Sequence, residues 1–474
     1  MRRTRSLEED PVIEAVSGKT VEVTEVQGRR FSVVGGARSG IAVAKLLRNH
    51  GAEVFLSEKA PAETMSATVG ELKEYGVAYE FGGNTEEVLK ADVIVVSPGV
   101  PSDVPVVADA LARSLRVVSE IEVASWFCKA PIVAVTGTNG KTTTTALLGR
   151  IFEDAKKAYA VGGNIGVAFS EMVHRVDEHS IAVLEVSSFQ LEHIETFKPK
   201  ISVMLNMTPD HLDRYGNSFE KYIRAKCRVF MNQDNGDSIV YNYDDTVTRR
   251  YVNELAPAPV RRLPFSTEAS LTEGAWIDRG RLKLSIGGEQ SEIIQTEDIS
   301  IRGKHNLYNA MAASLAAKAK DVSTASIRAT LKNFKGVEHR LEFVREVNGV
   351  MFFNDSKATN VESVWYALQS FTSPIVLLLG GRDKGNDYSR LIPLVRKHVK
   401  TIVAIGESAD KVVGSFAEIV RVRKASSMDE ALHLAASVAV SGDVVLLSPA
   451  CASFDWFENY EHRGRVFKER VHKI

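Results

Sequence analysis

Short apolar runs alternate with stretches of helical period through most of this chain. Phe31-Ser32-Val33-Val34-Gly35-Gly36 predicts a buried strand entering a tight turn, Ile41 to Leu47 the helix after it, and Val54-Phe55-Leu56 the next strand. Val93-Ile94-Val95-Val96 predicts another strand, closed by Ser97-Pro98-Gly99. The pattern restarts at Pro131: Ile132 to Val135 reads as a strand, a Gly-rich turn follows, and a helix runs from about Thr142. Ile181 to Val186 and Ile201 to Leu205 are further short apolar strands, whereas 237–300, richer in Gly, Thr and alternating polar positions, is expected to be more antiparallel. A third unit starts near Gly336, with strands at Pro374 to Leu379, Thr401 to Ile405 and Val444 to Leu447. Strands separated by helices imply parallel sheets, so the chain is expected to be α/β with three domains. Boundaries near 125 and 336 place them at 29–125, 126–335 and 336–474, behind a polar extension over 1–28. No repeat of solenoid period and no low-complexity segment interrupts this order.

Composition changes the picture little. With 474 residues, three domains each have enough chain for a core of their own. The 59 Lys+Arg nearly balance the 60 Asp+Glu, and the net charge of −1 lacks the global electrostatic footprint of a nucleic-acid binder. Cys128, Cys227 and Cys451 lie far apart and form no Cys-x-x-Cys pair, which points to a reducing compartment and no zinc ribbon. The basic start Met1-Arg2-Arg3-Thr4-Arg5 lacks the apolar core of a signal peptide. No apolar run nears the ~20 residues that span a bilayer. The expectation is a cytoplasmic protein, monomeric, not inserted in a membrane and acting on small molecules.

Three strand ends carry the candidate chemistry. Thr136-Gly137-Thr138-Asn139-Gly140-Lys141-Thr142-Thr143 follows a strand and opens a helix. Its glycines let backbone N–H groups face phosphate oxygens, and the helix N-terminus adds a favourable field. Lys141 reaches for the outer phosphates and Thr142 for Mg²⁺, although Val135 stands where the general P-loop pattern has Gly. Glu185 closes an apolar strand, where a buried carboxylate needs a partner or a metal. Asp210, His211 and Asp213 follow the strand that ends near Leu205. Ligands of open α/β sheets bind outside the carboxyl ends of strands, so these groups share an edge whose oxygen and imidazole donors suit Mg²⁺. Ser218 to Arg228 reads as a helix N-capped by Ser218; its Lys226 either points to that edge or is one more solvated lysine.

Other motifs leave alternatives open. Asn306, before an Ala-rich helix, offers its amide to a base edge or to a helix cap. Arg340 serves a γ-phosphate or a linker ion pair, and Asn354-Asp355-Ser356-Lys357-Ala358-Thr359-Asn360 holds an anionic substrate through Lys357 or is a plain loop. Gly35-Gly36-Ala37-Arg38-Ser39-Gly40 mimics a dinucleotide fingerprint with Ala37 in place of its middle Gly, and Glu58 sits where a ribose-binding acid belongs. That turn fits NAD or any diphosphate-bearing ligand.

Together these residues resemble the Mur ligase family from about residue 30 to the C-terminus, and within it the branch that adds D-glutamate. The family's nucleotide loop reads Gly-Thr-Asn-Gly-Lys-Thr/Ser, which accounts for Val135; folylpolyglutamate synthetases usually have Gly at the place of Thr142. Gly163-Asn164-Ile165-Gly166, Glu185 to Leu191 and Asp210 to Arg214 match motifs of the central domain. Asn354 to Asn360 and Ser448-Pro449-Ala450-Cys451-Ala452-Ser453-Phe454-Asp455 match the D-glutamate branch, and the Asp-Asn-Pro-Arg motif of the diaminopimelate-adding branch is absent.

The resemblance implies a Rossmann-like first domain, a P-loop ATPase-like central domain and a Rossmann-like third domain. It implies that D-glutamate is joined to UDP-N-acetylmuramoyl-L-alanine through an acyl phosphate, in peptidoglycan synthesis and hence in cell shape and division, with ATP and two Mg²⁺ ions. Carried over residue by residue, Gly137, Thr138, Asn139, Gly140, Lys141, Thr142, Thr143, Asn306, Arg340 and Asp355 would hold ATP. Thr142, Glu185, His211 and a carbamylated Lys226 would hold metal, with Lys141, Glu185, His211 and Lys226 carrying catalysis. Gly35, Arg38, Ser39, Gly40, Glu58, Ser97, Pro98, Gly99 and Asn164 would bind the UDP substrate, and Lys357, Ser448 and Phe454 D-glutamate. Three competitors remain at this point: another amide ligase of the Mur or folylpolyglutamate type, a nucleotide-gated binding protein, and, from the first turn alone, a NAD-dependent dehydrogenase.

Overall fold

The computed structural model describes residues 26–383 and 385–474. Of the extension expected over 1–28, residues 1–25 lie outside the described residues; Val26 to Gly28 form a turn, with Val26 buried in the first core. No helix among the described residues is long and apolar enough to cross a membrane.

Three sheets organise the chain. The first contains β1 (Arg30–Val34), β2 (Glu53–Glu58), β3 (Ala78–Phe81), β4 (Val93–Val96) and β5 (Arg116–Ser119), in the order β3-β2-β1-β4-β5 and parallel throughout. Both faces are buried, as parallel sheets require. Val33, Leu56 and Val95 pack into one cluster and Val34, Phe55, Ile94 and Val96 into another, the alternation of a strand covered on both sides.

The second sheet is built from β6 (Ile132–Thr136), β7 (Tyr159–Gly163), β8 (Ile181–Glu185), β9 (Ile201–Met204), β10 (Ser238–Asn242), β11 (Arg261–Ser266), β12 (Gly274–Asp278), β13 (Arg281–Ile286) and β14 (Glu289–Gln295). Its order around the loop site is β10-β9-β6-β8-β7, all parallel. The antiparallel expectation for 237–300 is corrected in its first half: β10 pairs parallel with β9 and β11, and β11 parallel with β12. The helix Thr246–Leu255 between β10 and β11 supplies the crossover that parallel neighbours need. The hairpin signal belongs only to the end of this stretch. Arg279 and Gly280 (φ 49° and 75°) and Gly287 and Gly288 (φ 65° and 81°) form two-residue turns with positive φ at both positions, the hairpin geometry of a type I′ turn.

The third sheet contains β15 (Glu342–Val347), β16 (Val350–Asn354), β17 (Ile375–Gly380), β18 (Val399–Ile405), β19 (Arg421–Lys424) and β20 (Val444–Leu447), in the order β15-β16-β20-β17-β18-β19. Only the β15–β16 pair is antiparallel among these. The architecture is thus α/β with three domains, one per sheet.

By compactness the chain divides in two. One unit runs through Asp278 and adds Lys283–Glu292 and Met311–Ile327; the other comprises Arg279–Leu282, Ile293–Ala310 and Arg328–Ile474. The first sheet and the parallel strands of the second share a unit, and the helix between them, Glu120–Phe127, is pinned to the second sheet's loops. Buried Glu122 accepts hydrogen bonds from the backbone N–H groups of Glu195 (2.9 Å), Thr196 (2.8 Å) and Phe197 (2.8 Å), and from the Trp126 indole (2.9 Å). A buried carboxylate with so many donors is fully compensated, and removing it would orphan several N–H groups at once.

Candidate active site

In the first sheet the strand order reverses between β1 and β4, the switch point at which open sheets bind ligands. A cleft of about 720 Å³ opens there. Gly35, Arg38, Ser39, Glu58, Ser97, Pro98, Gly99 and Asn164, all expected to bind the UDP substrate, line it; Gly40 does not. Gly40 has a different part: a Cβ there would lie 1.8 Å from the Gly35 carbonyl oxygen, so only glycine lets the helix Arg38–Asn49 sit this close to the turn. That helix has no side-chain N-cap, and Ala37, Arg38 and Ser39 at its start line the cleft, so its N-terminal field favours an anion there. Glu58 accepts from the Gly36 N–H at 2.5 Å and the Ala60 N–H at 2.7 Å, so it clamps the turn as well as lining the cleft.

The second sheet brings the phosphate-loop motif, Glu185 and the His211 loop to one edge. β6 lies between β9 and β8, and Val135 pairs with Glu185 while Thr136 pairs with Met204. The loop turns at Gly137 (φ 143°), and the helix Lys141–Asp154 begins after Gly140 (φ 87°) without a side-chain cap. Asn206 holds the loop's shape: its side chain accepts from the Asn139 N–H (2.8 Å) and donates to the Asn139 carbonyl (2.9 Å). Lys141 Nζ donates to the carbonyls of Gly137 (2.9 Å) and Thr138 (2.8 Å).

Lys226, on the helix Phe219–Cys227, is only 2% exposed, and its Nζ donates to the same Gly137 carbonyl at 2.9 Å. The helix begins as expected, with the Ser218 side chain accepting from the Lys221 N–H. Burial, and then the neighbouring Lys141 ammonium, push the Lys226 amine well below the ordinary lysine range. Glu185 is 2% exposed. Its Oε1 accepts from Asn164 Nδ2 at 2.8 Å, while Oε2 is buried with no hydrogen-bond partner among the described residues. His211 takes a left-handed backbone (φ 52°) and lies edge-on to Phe189, ring centres 5.1 Å apart. An uncompensated buried carboxylate oxygen, near a lysine whose ammonium form burial disfavours, has the donor chemistry of a cation site built from hard oxygens. Thr142 and Thr143 are buried in the first helical turn.

The second unit holds the remaining candidates, with Asp355 and Ser448 at the carboxyl ends of β16 and β20. Asn354 pairs with Leu447, and Asp355 and Ser448 come next in chain order. Ser448 Oγ donates to Asp355 Oδ2 at 2.8 Å, and the Leu341 N–H donates to Oδ1 at 3.2 Å. Burial pushes Asp355 up to about 6 against the opposing pull of Arg340. Arg340 is half-buried and its Nε has no hydrogen-bond partner among the described residues. Lys357 places its ammonium 5.4 Å from the centre of the Tyr460 ring, and Phe454 is 59% exposed. Asn306 lies in the first turn of the helix Lys304–Lys318, where its amide donates to the Arg302 carbonyl (2.9 Å) and accepts from Asn309 (3.1 Å).

Sequence reasoning passed over Asn206, and also Arg463, whose guanidinium is buried and bonds Ser356 Oγ (2.9 Å), the Ser356 carbonyl (2.7 Å) and the Cys451 carbonyl (3.1 Å). Arg463 thereby ties the 354–360 and 448–455 loops together. Neither residue stands in a motif with a chemical signature; a lone polar residue after a strand and an arginine in a charged helix carry no visible mark of their partners.

Comparison with known proteins agrees with this layout. The chain matches the models of the MurD N-terminal domain over 30–106, the Mur ligase middle domain over 135–317 and the Mur ligase glutamate ligase domain over 339–451. It is 50% identical to the UDP-N-acetylmuramoylalanine--D-glutamate ligase of Salinibacter ruber over 95% of this chain and 99% of that one. Its identity to the protein of the same name in Chloroherpeton thalassium is 47%, over 94% and 98%. Among solved structures it resembles the UDP-N-acetylmuramate-alanine ligase of Thermotoga maritima (TM-score 0.57, 20% identity, 94% of this chain and 99% of that one). It also resembles a pseudomurein peptide ligase type C of Methanothermus fervidus (TM-score 0.58, 18% identity, 94% and 100%). These two likenesses speak to the fold.

Proposed function

The chain belongs to the Mur ligase family, and from that premise we infer that it joins D-glutamate to UDP-N-acetylmuramoylalanine with ATP, a step of peptidoglycan precursor synthesis. The alanyl carboxylate attacks the γ-phosphorus of ATP and ADP leaves. The D-glutamate amine then attacks the acyl phosphate, loses a proton, and the tetrahedral adduct collapses to the amide and inorganic phosphate. Positioning and charge neutralisation carry most of such chemistry. The loop amides from Gly137 to Thr143 and the Lys141 ammonium hold the phosphates, with Asn306, Arg340 and Asp355 as the further nucleotide residues. Lys357, Ser448 and Phe454 receive D-glutamate, and the cleft between β1 and β4 receives the UDP moiety.

Mg²⁺, when bound, neutralises charge on the phosphate oxygens. Thr142, Glu185, His211 and Lys226 are its proposed holders. The observation that best supports this is the pairing of Glu185's unpartnered buried oxygen with a Lys226 amine aimed at the same carbonyl as Lys141. A second ammonium there would be repelled by the first. Addition of CO₂ to the neutral Lys226 amine forms an N–C bond, releases a proton and leaves a carbamate anion with two oxygen acceptors. The domains run 29–125, 126–335 and 336–474, and the enzyme works as a cytoplasmic monomer supporting cell shape and division.

Phosphate release with ATP tests the reading. It is expected only when UDP-N-acetylmuramoyl-L-alanine and D-glutamate are both present. Release without either cosubstrate, or with another amino acid preferred, overturns it.

A further inference from the structure

Arg214 closes the motif that carries His211, yet nothing in the reaction just described uses it. Its guanidinium is nearly buried and every arm is engaged. Nη1 donates to the Pro98 carbonyl (2.9 Å) and Nη2 to the Val100 carbonyl (3.0 Å), both on the rim of the nucleotide-sugar cleft. Nε and Nη2 also meet the two oxygens of Glu192, each at 3.1 Å. Glu192 takes further hydrogen bonds from Tyr215 (2.7 Å) and Ser102 (2.6 Å), so the ion pair is held from both domains. The guanidinium carbon lies 4.0 Å from the centre of the Phe189 ring, which also meets the His211 imidazole edge-on at 5.1 Å and stacks on Tyr215 at 6.2 Å. Phe189 belongs to the short helix Ser188–Leu191, and Gln190 of the same helix lines the cleft.

The cleft rim, Arg214, Phe189 and His211 therefore form one contiguous stack. A rim that shifts when ligand enters the cleft moves two carbonyls bonded to Arg214. The guanidinium cannot follow without changing its seat on Phe189. Planar arginine suits this task because one rigid fork satisfies two carbonyls and a carboxylate at once, which a lysine cannot do.

We propose that Arg214 is a positioning residue that couples occupancy of the nucleotide-sugar cleft to the placement of the His211 loop, so that UDP substrate and divalent cation strengthen each other's binding. The inference rests on the reading of the cleft and of His211 given above. Coupling between sites is reciprocal and is measured as a ratio of affinities.

The test uses Mn²⁺ as the cation probe, its affinity measured by titration of the whole protein with and without saturating UDP-N-acetylmuramoyl-L-alanine, in the presence of ADP. In the wild type the nucleotide-sugar substrate is expected to tighten Mn²⁺ binding about fivefold or more, the lower end of ordinary site-to-site coupling. Arg214→Gln is expected to bring the ratio to about one while each ligand still binds alone. Arg214→Lys, which keeps the charge and the fold but loses the double carbonyl bridge, is expected to fall well below the wild-type ratio. A melting temperature for each variant separates lost coupling from lost folding. Two binding sites without coupling in the wild type, or full coupling in Arg214→Lys, overturn the proposal. A wild type that binds Mn²⁺ but no UDP substrate refutes the cleft assignment instead, and the proposal with it.

Discussion

At Gly35–Gly40 and again at Gly137–Lys141 a buried parallel strand ends, the backbone turns through a glycine at positive φ, and an uncapped helix begins. The surroundings differ. The first turn faces a carboxylate, Glu58, bonded to the Gly36 N–H, and its ligand space is a walled cleft. The second faces two lysines that share the Gly137 carbonyl, with an unpartnered carboxylate oxygen nearby. The turn supplies amides in both places; what the surrounding elements bring to it sets the chemistry. An acid at the end of β2 suits ribose hydroxyls, whereas lysines and a bare carboxylate suit phosphates and cations.

The largest effects should come from stripping the second turn of its charges. Lys141→Ala and Lys226→Ala are each expected to lower kcat by roughly 10²–10³-fold or more, the loss typical of a removed electrostatic contact to the transition state. Acetate or formate should restore part of the Lys226→Ala activity by supplying oxygens and none of the Lys141→Ala activity, whose missing group is a cation. Steady-state rates over an acid titration check this, and rescue of both variants would erase the contrast.

A smaller effect separates the two backbones. Gly40→Ala forces a Cβ against the Gly35 carbonyl, where nothing flexible can yield, and overpacking of this kind costs about 1–3 kcal/mol or more. Gly140→Ala meets the left-handed penalty of roughly 1–2 kcal/mol at its φ of 87°. Calorimetry should show the larger fall in Tm for Gly40→Ala. Binding should show loss of the UDP substrate in that variant and of ATP in the other. Equal effects on both ligands would mean that the turns are not separate sites.

The last effect is expected in the third domain, at Asp355. Its folded pKa is raised from 3.8 to about 6, so the folded chain holds this proton over a range in which the unfolded chain has released it. Stability from this group is therefore fully present below about pH 4, falls as pH rises through the interval up to about 6, by up to about 3 kcal/mol, and levels off above it. Asp355→Asn should flatten that slope in denaturant titrations at pH 4 to 7; an unchanged slope would assign it to other groups.

Much of this was legible in the residues because strand, turn and helix each leave a local mark. Runs such as Val93 to Val96 are short, apolar and punctuated, and the phosphate loop's Gly-Lys-Thr needs no tertiary information. Parallel pairing of β10 with both neighbours was not legible, because alternating polarity looks alike in either direction and only the Thr246–Leu255 crossover decides it. The site divides in the same way. Lys226 looked like one more lysine on a basic helix; its burial and its bond to Gly137, 89 positions away, are tertiary facts. The same holds for Asn206 and Arg463, most of whose partners are backbone groups that any sequence possesses.

Glu122 has a bearing on how the chain comes into being. Its carboxylate ends the first domain, but the N–H groups that satisfy it belong to residues 195–197. As the polypeptide leaves the ribosome, the Glu120–Phe127 helix must wait for β6, β7 and β8 of the second sheet before its buried charge has its backbone donors. The first domain is thus finished by its neighbour, and a fragment ending at the helix leaves that acid only the Trp126 indole and water.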